Sequence, residues 1–406
     1  MNVVKSVIRI RPFIKKTPLQ FNERLSEKYN SNIFLKREDL QITRSFKIRG
    51  ACNKILKLKN NNRDLVCASA GNHAQGFAFV CNKFNKTGHI FLPVGTPKQK
   101  ISRIISLGKD SINIILSGNN FTESLNCALD FSNSQNFEFV HPFDDYDIIE
   151  GQGTIASEIH EKIDPDIIIS AVGGGGLISG LIQYRNYKMK NCLIYGVEPE
   201  LANSMNLSLL NNKIIKLNNI DTFVDGASVS EVGKKTYEIV SNNVDKVIEI
   251  CNGRLCSHIV DIYQEDGIIL EPAGALSISS LDKIDRKLLK NKNIVCIVSG
   301  GNNDITRYSE ILENKLIYDG LKHYFIIEFS QIPGQLKKFI NNILNPTDDI
   351  VRFEYLKKTN KNYGNVLLGI QTIKSNDIEF IIDNLKKNNI KFIKINQNDL
   401  IYNYIV

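Results

Sequence analysis

A chain of 406 residues with 42% hydrophobic content is long enough to bury two or three cores. Its net charge of +8 comes from lysines scattered through an Asn-, Ile- and Lys-rich sequence, with no basic stripe interleaved with aromatics, which argues against nucleic acid as a partner. Eight cysteines without a CxxC pair and six histidines without an HExxH or HxH cluster give no metal motif, and Cys67, Cys192 and Cys296, placed in apolar strands, read as reduced core thiols of a cytoplasmic protein. Residues 1–20 carry neither a long apolar run nor a cleavage pattern, so neither a signal peptide nor a membrane span is expected.

The first informative segment is Arg44-Ser45-Phe46-Lys47-Ile48-Arg49-Gly50-Ala51, which puts a lysine behind an aromatic in the first turn of a predicted helix. Burial beside Arg49 and the helix N-terminus is expected to lower the pKa of Lys47. The resulting free amine suits a Schiff base with an aldehyde cofactor and a later proton abstraction. Taken singly, the segment is more often a helix start with one exposed lysine.

Leu65 to Ala68 then reads as an apolar strand that runs through Ser69-Ala70-Gly71-Asn72-His73 into a helix with Phe77, Val80 and Cys81 on one face. Free N–H groups at such a start can bind a carboxylate, with the Ser69 hydroxyl as a further donor, and Asn72 offers an amide to a phenolic oxygen. A plain βα turn capped by Ser and Asn is the commoner reading of such a segment alone. Further on, the strand Ile167 to Val172 meets four successive glycines, Gly173 to Gly176, followed by Leu177. Glycines let the backbone approach an anion and the next helix supplies its positive end, so the loop reads as a phosphate cradle. It fits neither GxxxxGK[ST] nor GxGxxG, which favours one phosphate on a small cofactor over a pyrophosphate. Finally, Ile294 to Val298 is a buried strand ending in Ser299-Gly300-Gly301-Asn302, where a neutral hydroxyl can meet a pyridine nitrogen or simply begin a turn.

Apolar strands alternate with amphipathic helices to about residue 312, which predicts largely parallel sheets in two α/β lobes with a cofactor in the crevice between them. From His323 the pattern becomes β-α-β-β-α-β: a strand at Tyr324–Phe329; a helix opened by Pro333 with Leu336, Phe339, Ile340, Ile343 and Leu344 on one face; strands Ile350–Leu356 and Asn365–Ile373 across the polar turn Lys357–Gly364; a helix marked by Ile378, Ile381, Ile382 and Leu385; and a strand Phe392–Ile395. Expected domains are therefore 1–312, a linker at 313–322, and an α+β ferredoxin-like domain at 323–406, which carries no catalytic group and serves either regulation or dimerisation.

Together these segments resemble the fold-type II pyridoxal-phosphate enzymes (tryptophan synthase β-like), and among them the threonine dehydratases, over essentially the whole chain. Ser45 to Gly50 matches the family's Schiff-base motif, Ser69 to His73 its substrate-carboxylate loop, Gly173 to Leu177 its phosphate loop and Ser299 to Asn302 its pyridine-nitrogen strand. Gly196-Val197-Glu198-Pro199, Asp225-Gly226-Ala227 and Glu271-Pro272-Ala273-Gly274-Ala275 match as well. Cysteine synthases carry a Gly-Thr-Gly-Gly-Thr phosphate loop and threonine synthases an Asp at the position of Ile48, so both fit less well. Serine racemases are close in the catalytic half. Their divalent-cation site is matched by Glu198 and Ala202 but meets Ser204 where a carboxylate is needed, which argues against a tight divalent site and leaves a monovalent cation at Glu198 open.

The resemblance implies pyridoxal 5′-phosphate as cofactor and conversion of L-threonine to 2-oxobutanoate and ammonia. Lys47 would be the catalytic residue. Phe46, Asn72, Gly173, Gly174, Gly175, Gly176, Leu177 and Ser299 would hold the cofactor, with Ala227 a candidate for the ring's second face. Ser69, Ala70, Gly71, Asn72 and His73 would hold the substrate. A neutral Ser299, unlike a carboxylate, does not favour a protonated pyridine and so steers toward elimination. The tail is similar to the single ACT-like domain of shorter biosynthetic threonine dehydratases, implying isoleucine as allosteric inhibitor and a homodimer or homotetramer. A serine or threonine racemase, a serine dehydratase, and a non-catalytic amino-acid sensor are the alternatives on this scaffold.

Overall fold

Strands apolar on both faces, such as Ile167–Ala171 and Asn293–Val298, belong at the centre of a sheet covered on both sides. The computed structural model describes residues 2–355, 357, 361–396, 399 and 401–405 and places both strands there. Their six-stranded sheet has the order Leu19–Phe21, Asn32–Arg37, Asn293–Val298, Ile167–Ala171, Leu193–Pro199, Lys246–Ile250. All neighbours are parallel except Leu19–Phe21, which runs antiparallel to Asn32–Arg37. A second, four-stranded parallel sheet has the order Ile112–Leu116, Gly88–Leu92, Leu65–Ala68, Glu138–Phe139. The chain leaves the first sheet after Arg37, builds the second, and returns at Ile167, which makes the two lobes interleaved as the sequence suggests.

Three helices fix the site between these sheets. Lys47–Lys57 and Gly176–Lys188 both pack on Tyr146–His160, and each contact is made through glycines. A Cβ on Gly151 would lie 2.6 Å from the Arg49 carbonyl oxygen, and one on Gly180 would lie 2.5 Å from the Gly153 nitrogen. Backbone thus meets backbone, and the helix starts that carry Lys47 and the glycine loop are held at a fixed spacing.

Contacts divide the chain into two compact units, Met1–Asn303 and Asp304–Val406. Residues 313–322, read above as a linker, are helical as far as Tyr318, and the next strand already begins at Lys322. The segment is tied to its own unit: Ile311 is buried, Lys322 pairs with Glu313, and the Tyr324 hydroxyl donates to Glu313 at 2.7 Å. The second unit has a four-stranded antiparallel sheet in the order Asp349–Tyr355, Tyr363–Gln371, Lys322–Ser330, Phe392–Ile395, with helices Gln335–Ile343 and Asp377–Lys387. This is the expected ferredoxin-like order.

Within the second unit, Leu356 and residues 358–360 of the expected turn lie outside the described residues. The first helix starts at Gln335, two residues after Pro333, because Gly334 takes a left-handed conformation before it (φ 85°). Only the Phe339–Ile343 ridge faces the sheet; Leu336 and Ile340, expected on the same face, form the adjacent i, i+4 ridge and are 41% and 42% exposed. No helix among the described residues is long and apolar enough to cross a membrane. All eight cysteines are free thiols, and Cys192 lies just before its strand rather than in it.

Candidate active site

Beyond the carboxyl ends of Ile167–Ala171 and Asn293–Val298 lies a pocket. It gathers Phe46, Lys47, Asn72, Gly173, Gly174, Gly175, Gly176, Leu177 and Ser299 from four separate stretches of sequence. Lys47 is the first residue of its helix, and its side chain reaches the pocket, where the amine donates to the Pro142 carbonyl at 3.0 Å and sits 5.3 Å from the Phe46 ring centroid. Burial brings its pKa down to about 8, and the negative charge of Glu271 partly opposes that fall.

Arg49 plays no part in this, contrary to the sequence reading. Its guanidinium is fully buried on the opposite side of the helix, bonded twice to Glu38 (2.7 and 2.8 Å) and twice to Glu158 (2.8 and 2.9 Å). Lys36, also buried, completes the group by donating to Glu158 at 2.6 Å.

The glycine loop is shaped by what a side chain would displace. Cβ atoms would run into the Phe143 ring at Gly174, Thr236 and Met205 (2.8 Å) at Gly175, and the Gly226 carbonyl (2.9 Å) at Gly173. Gly175 also needs its left-handed backbone (φ 91°) to turn into the helix Gly176–Lys188. As at every helix start, the first N–H groups lack intrahelical acceptors, so the loop offers an anion several donors and the positive end of the dipole. The cradle suits one phosphate group, and a buried lysine amine of lowered pKa lines the same space, so the donor set fits pyridoxal 5′-phosphate.

Ser299 is 2% exposed and lines the pocket. Its segment is stitched to that of Lys47: Phe46 N–H donates to the Ser299 carbonyl at 3.1 Å and Gly301 N–H to the Arg44 carbonyl at 2.9 Å. Arg44 adopts a left-handed backbone (φ 55°) to make this junction, a strain of a kind found at functional sites.

Of the segment Ser69 to His73, only Asn72 lines the pocket. Ser69, Ala70 and Gly71 are half-buried beside it, with the Ser69 hydroxyl accepting from Gly71 N–H at 3.2 Å. His73 turns into the core, its ring 3.0 Å from the Val140 carbonyl, and burial keeps it neutral with a pKa of about 3. Ala227 is buried behind Gly173 and does not line the pocket, whereas Gly226 and Ala273 do.

Glu198 is held by backbone. Its two oxygens accept N–H groups of Met205 (2.9 Å) and Asn206 (2.8 Å), and burial pushes its carboxyl up to about 8. No cluster of three or more His, Cys, Asp or Glu side chains suited to a metal occurs among the described residues.

Sequence reasoning gave no role to three participants. Phe143 roofs the glycine loop, the Pro142 carbonyl holds Lys47, and Glu271 stands in the pocket wall. The aromatic and proline of His141-Pro142-Phe143 and the acidic residue before Pro272 were the available signals, but neither has a periodic pattern.

Comparison with known proteins agrees with this geometry. Residues 10–300 match the family model "Pyridoxal-phosphate dependent enzyme", and residues 313–405 match "C-terminal regulatory domain of Threonine dehydratase". The chain is 46% identical to the biosynthetic L-threonine dehydratase of Staphylococcus epidermidis and 42% to that of Staphylococcus aureus, in each case over 100% of this chain and 98% of the relative. Among solved structures, the processed form of threonine deaminase isoform 2 from Solanum lycopersicum superposes with a TM-score of 0.72 at 36% identity, covering 77% of this chain and 93% of that one. Maize serine racemase gives a TM-score of 0.72 at 27% identity, covering 78% and 97%.

Proposed function

Because the chain belongs to the pyridoxal-phosphate dependent enzymes, and within them to the biosynthetic threonine dehydratases, we propose that the pocket around Lys47 is where it performs their β-elimination. It is a lyase that converts L-threonine to 2-oxobutanoate and ammonia with pyridoxal 5′-phosphate as cofactor. The observation that carries the assignment of the site is the meeting of a low-pKa lysine amine and a glycine-built anion cradle in one pocket.

When bound, pyridoxal phosphate supplies an aldehyde for the substrate's amine and an electron-withdrawing ring next to Cα. The N–H groups of Gly173 to Leu177 would hold the phosphate, Phe46 would flank the ring, and Asn72 would donate to the phenolic oxygen. Ser299 would give the ring nitrogen a neutral partner. The backbone of Ser69, Ala70 and Gly71 and the start of the helix at Asn72 receive the substrate carboxylate, with His73 anchoring that start from below. Lys47, as the free amine, takes the Cα proton, after which the β-hydroxyl departs.

The unit Asp304–Val406 serves as an effector domain through which isoleucine inhibits, and the enzyme acts as a cytoplasmic homodimer or homotetramer. The match of residues 313–405 to the C-terminal regulatory domain of threonine dehydratase supports the effector role. Keto-acid release from L-threonine and L-serine, measured with and without isoleucine, is the test. Formation of D-amino acid with little keto acid would instead favour a racemase.

A further inference from the structure

Glu271 is a buried carboxyl in the pocket wall, 4% exposed, with no ion pair among the described residues. It cannot swing away. Its backbone donates to the Gly300 carbonyl at 3.3 Å, and its side chain is packed so closely on Gly300 that no Cβ fits there. One carboxyl oxygen accepts from the Asn72 amide at 2.7 Å and the other from Asn302 N–H at 3.2 Å. Asn302 in turn donates to the Asn72 oxygen at 2.7 Å and to the Thr43 carbonyl at 2.8 Å, closing a ring of hydrogen bonds beside the Lys47 segment.

Two neutral donors do not offset the burial of a full charge, so leaving this carboxyl without a cation is costly unless the pocket supplies one. Lys47 lines the same pocket, and the charge of Glu271 is the one that raises its pKa against burial. Lys100 and Asp225, the charged groups that act on Glu271, are paired with each other at 2.7 Å. His73 and His141, the other titratable groups near Lys47, are kept neutral by burial.

We propose that Glu271 is a positioning residue that acts through Lys47: its charge holds the lysine's proton, and its hydrogen bonds aim the Asn72 amide into the pocket. The inference rests on the reading of Lys47 as the reactive amine. When Lys47 takes a proton from substrate carbon, the C–H pair stays on carbon and the amine becomes an ammonium. A carboxylate fixed nearby stabilises that ammonium without accepting the proton itself. Burial pushes the Glu271 carboxyl up to about 7, next to the lysine's value of about 8, so the two groups titrate over neighbouring pH ranges.

The test uses the full chain freed of cofactor. Competitive acetylation with acetic anhydride, read at Lys47 by mass spectrometry across pH, gives the midpoint at which its amine becomes free. The parent midpoint is expected at about 8. In Glu271→Gln it should fall by roughly one pH unit, the low end of what loss of a nearby opposite charge does. Glu271→Asp covers the case in which the Gln amide, meeting Asn302 N–H, disturbs the fold. It keeps the charge but withdraws it by a methylene, and its midpoint should lie between those of the parent and Gln. A midpoint unmoved in whichever variant folds overturns the proposal. Borohydride reduction with pyridoxal phosphate is run alongside. If Lys47 is left unmodified, the reading of the pocket fails; if Lys47 is modified while its midpoint does not respond to Glu271, only the role of Glu271 falls.

Discussion

Replacing Arg49 with Met separates two roles that its position two residues after Lys47 confounds. The guanidinium bridges Glu38 and Glu158 with two hydrogen bonds to each, and Arg49 and Glu38 are fully buried. With Lys36, the group holds two cations and two carboxylates. Met fills most of the volume but leaves Lys36 to answer both acids. Removing one partner from a buried ion network costs about 3–5 kcal/mol, a large part of the roughly 5–15 kcal/mol by which domains are stable. Urea denaturation, followed by far-UV circular dichroism, measures the loss.

The same network gives a pH dependence of known sign. Burial raises the Glu158 carboxyl, but Arg49 and then Lys36 more than reverse this and hold it below its ordinary value. Its share of stability is therefore present above the unfolded value near about 4.3 and is lost as the pH falls through that region. The Met variant should show a shallower loss there. If Arg49→Met costs less than about 1 kcal/mol, or if it leaves stability intact while raising the Lys47 midpoint, the structural role is wrong. The sequence reading, in which Arg49 tunes Lys47, would then stand.

Three further outcomes are expected. Lys47→Ala should lower keto-acid formation by about a thousandfold or more while far-UV circular dichroism shows the fold retained; residual turnover within tenfold of the parent contradicts its role. Ser299→Asp should retain pyridoxal phosphate in the glycine cradle but slow elimination by about tenfold or more and raise transamination, both read in one assay of keto acid and cofactor absorbance; elimination at the parent rate removes the tuning role. A chain ending at Asn303 should keep threonine turnover yet lose its response to isoleucine, a coupling of about 1–3 kcal/mol, and undiminished inhibition would place the effector site among residues 1–303.

How much of this was legible depended on whether the signal was local. Apolar runs such as Ile167–Ala171 announce buried parallel strands, and Gly173 to Gly176 announce a backbone that must come close to something. Lys47 at a helix start was legible for the same reason. The direction in which a helical side chain leaves its helix was not. Arg49 lies about 200° round from Lys47, so adjacency in sequence put it on the far side. His73 follows Asn72 by one step and points into the core instead of the pocket. Phe143, the Pro142 carbonyl and Glu271 enter the site only through tertiary packing, and Leu336 and Ile340 lie on a ridge the sheet does not reach.

The helix Tyr146–His160 contributes no group to the chemistry, yet it touches the two helices whose starts matter most, through Gly151 against Gly50 and Gly153 against Gly180. It serves as a gauge block between amine and anion cradle. A methyl group on either glycine would lengthen the gauge, and the error would appear at the pocket as a misfit between reach and anchor. In a sequence rich in Asn, Ile and Lys, these glycines are positions that admit no side chain.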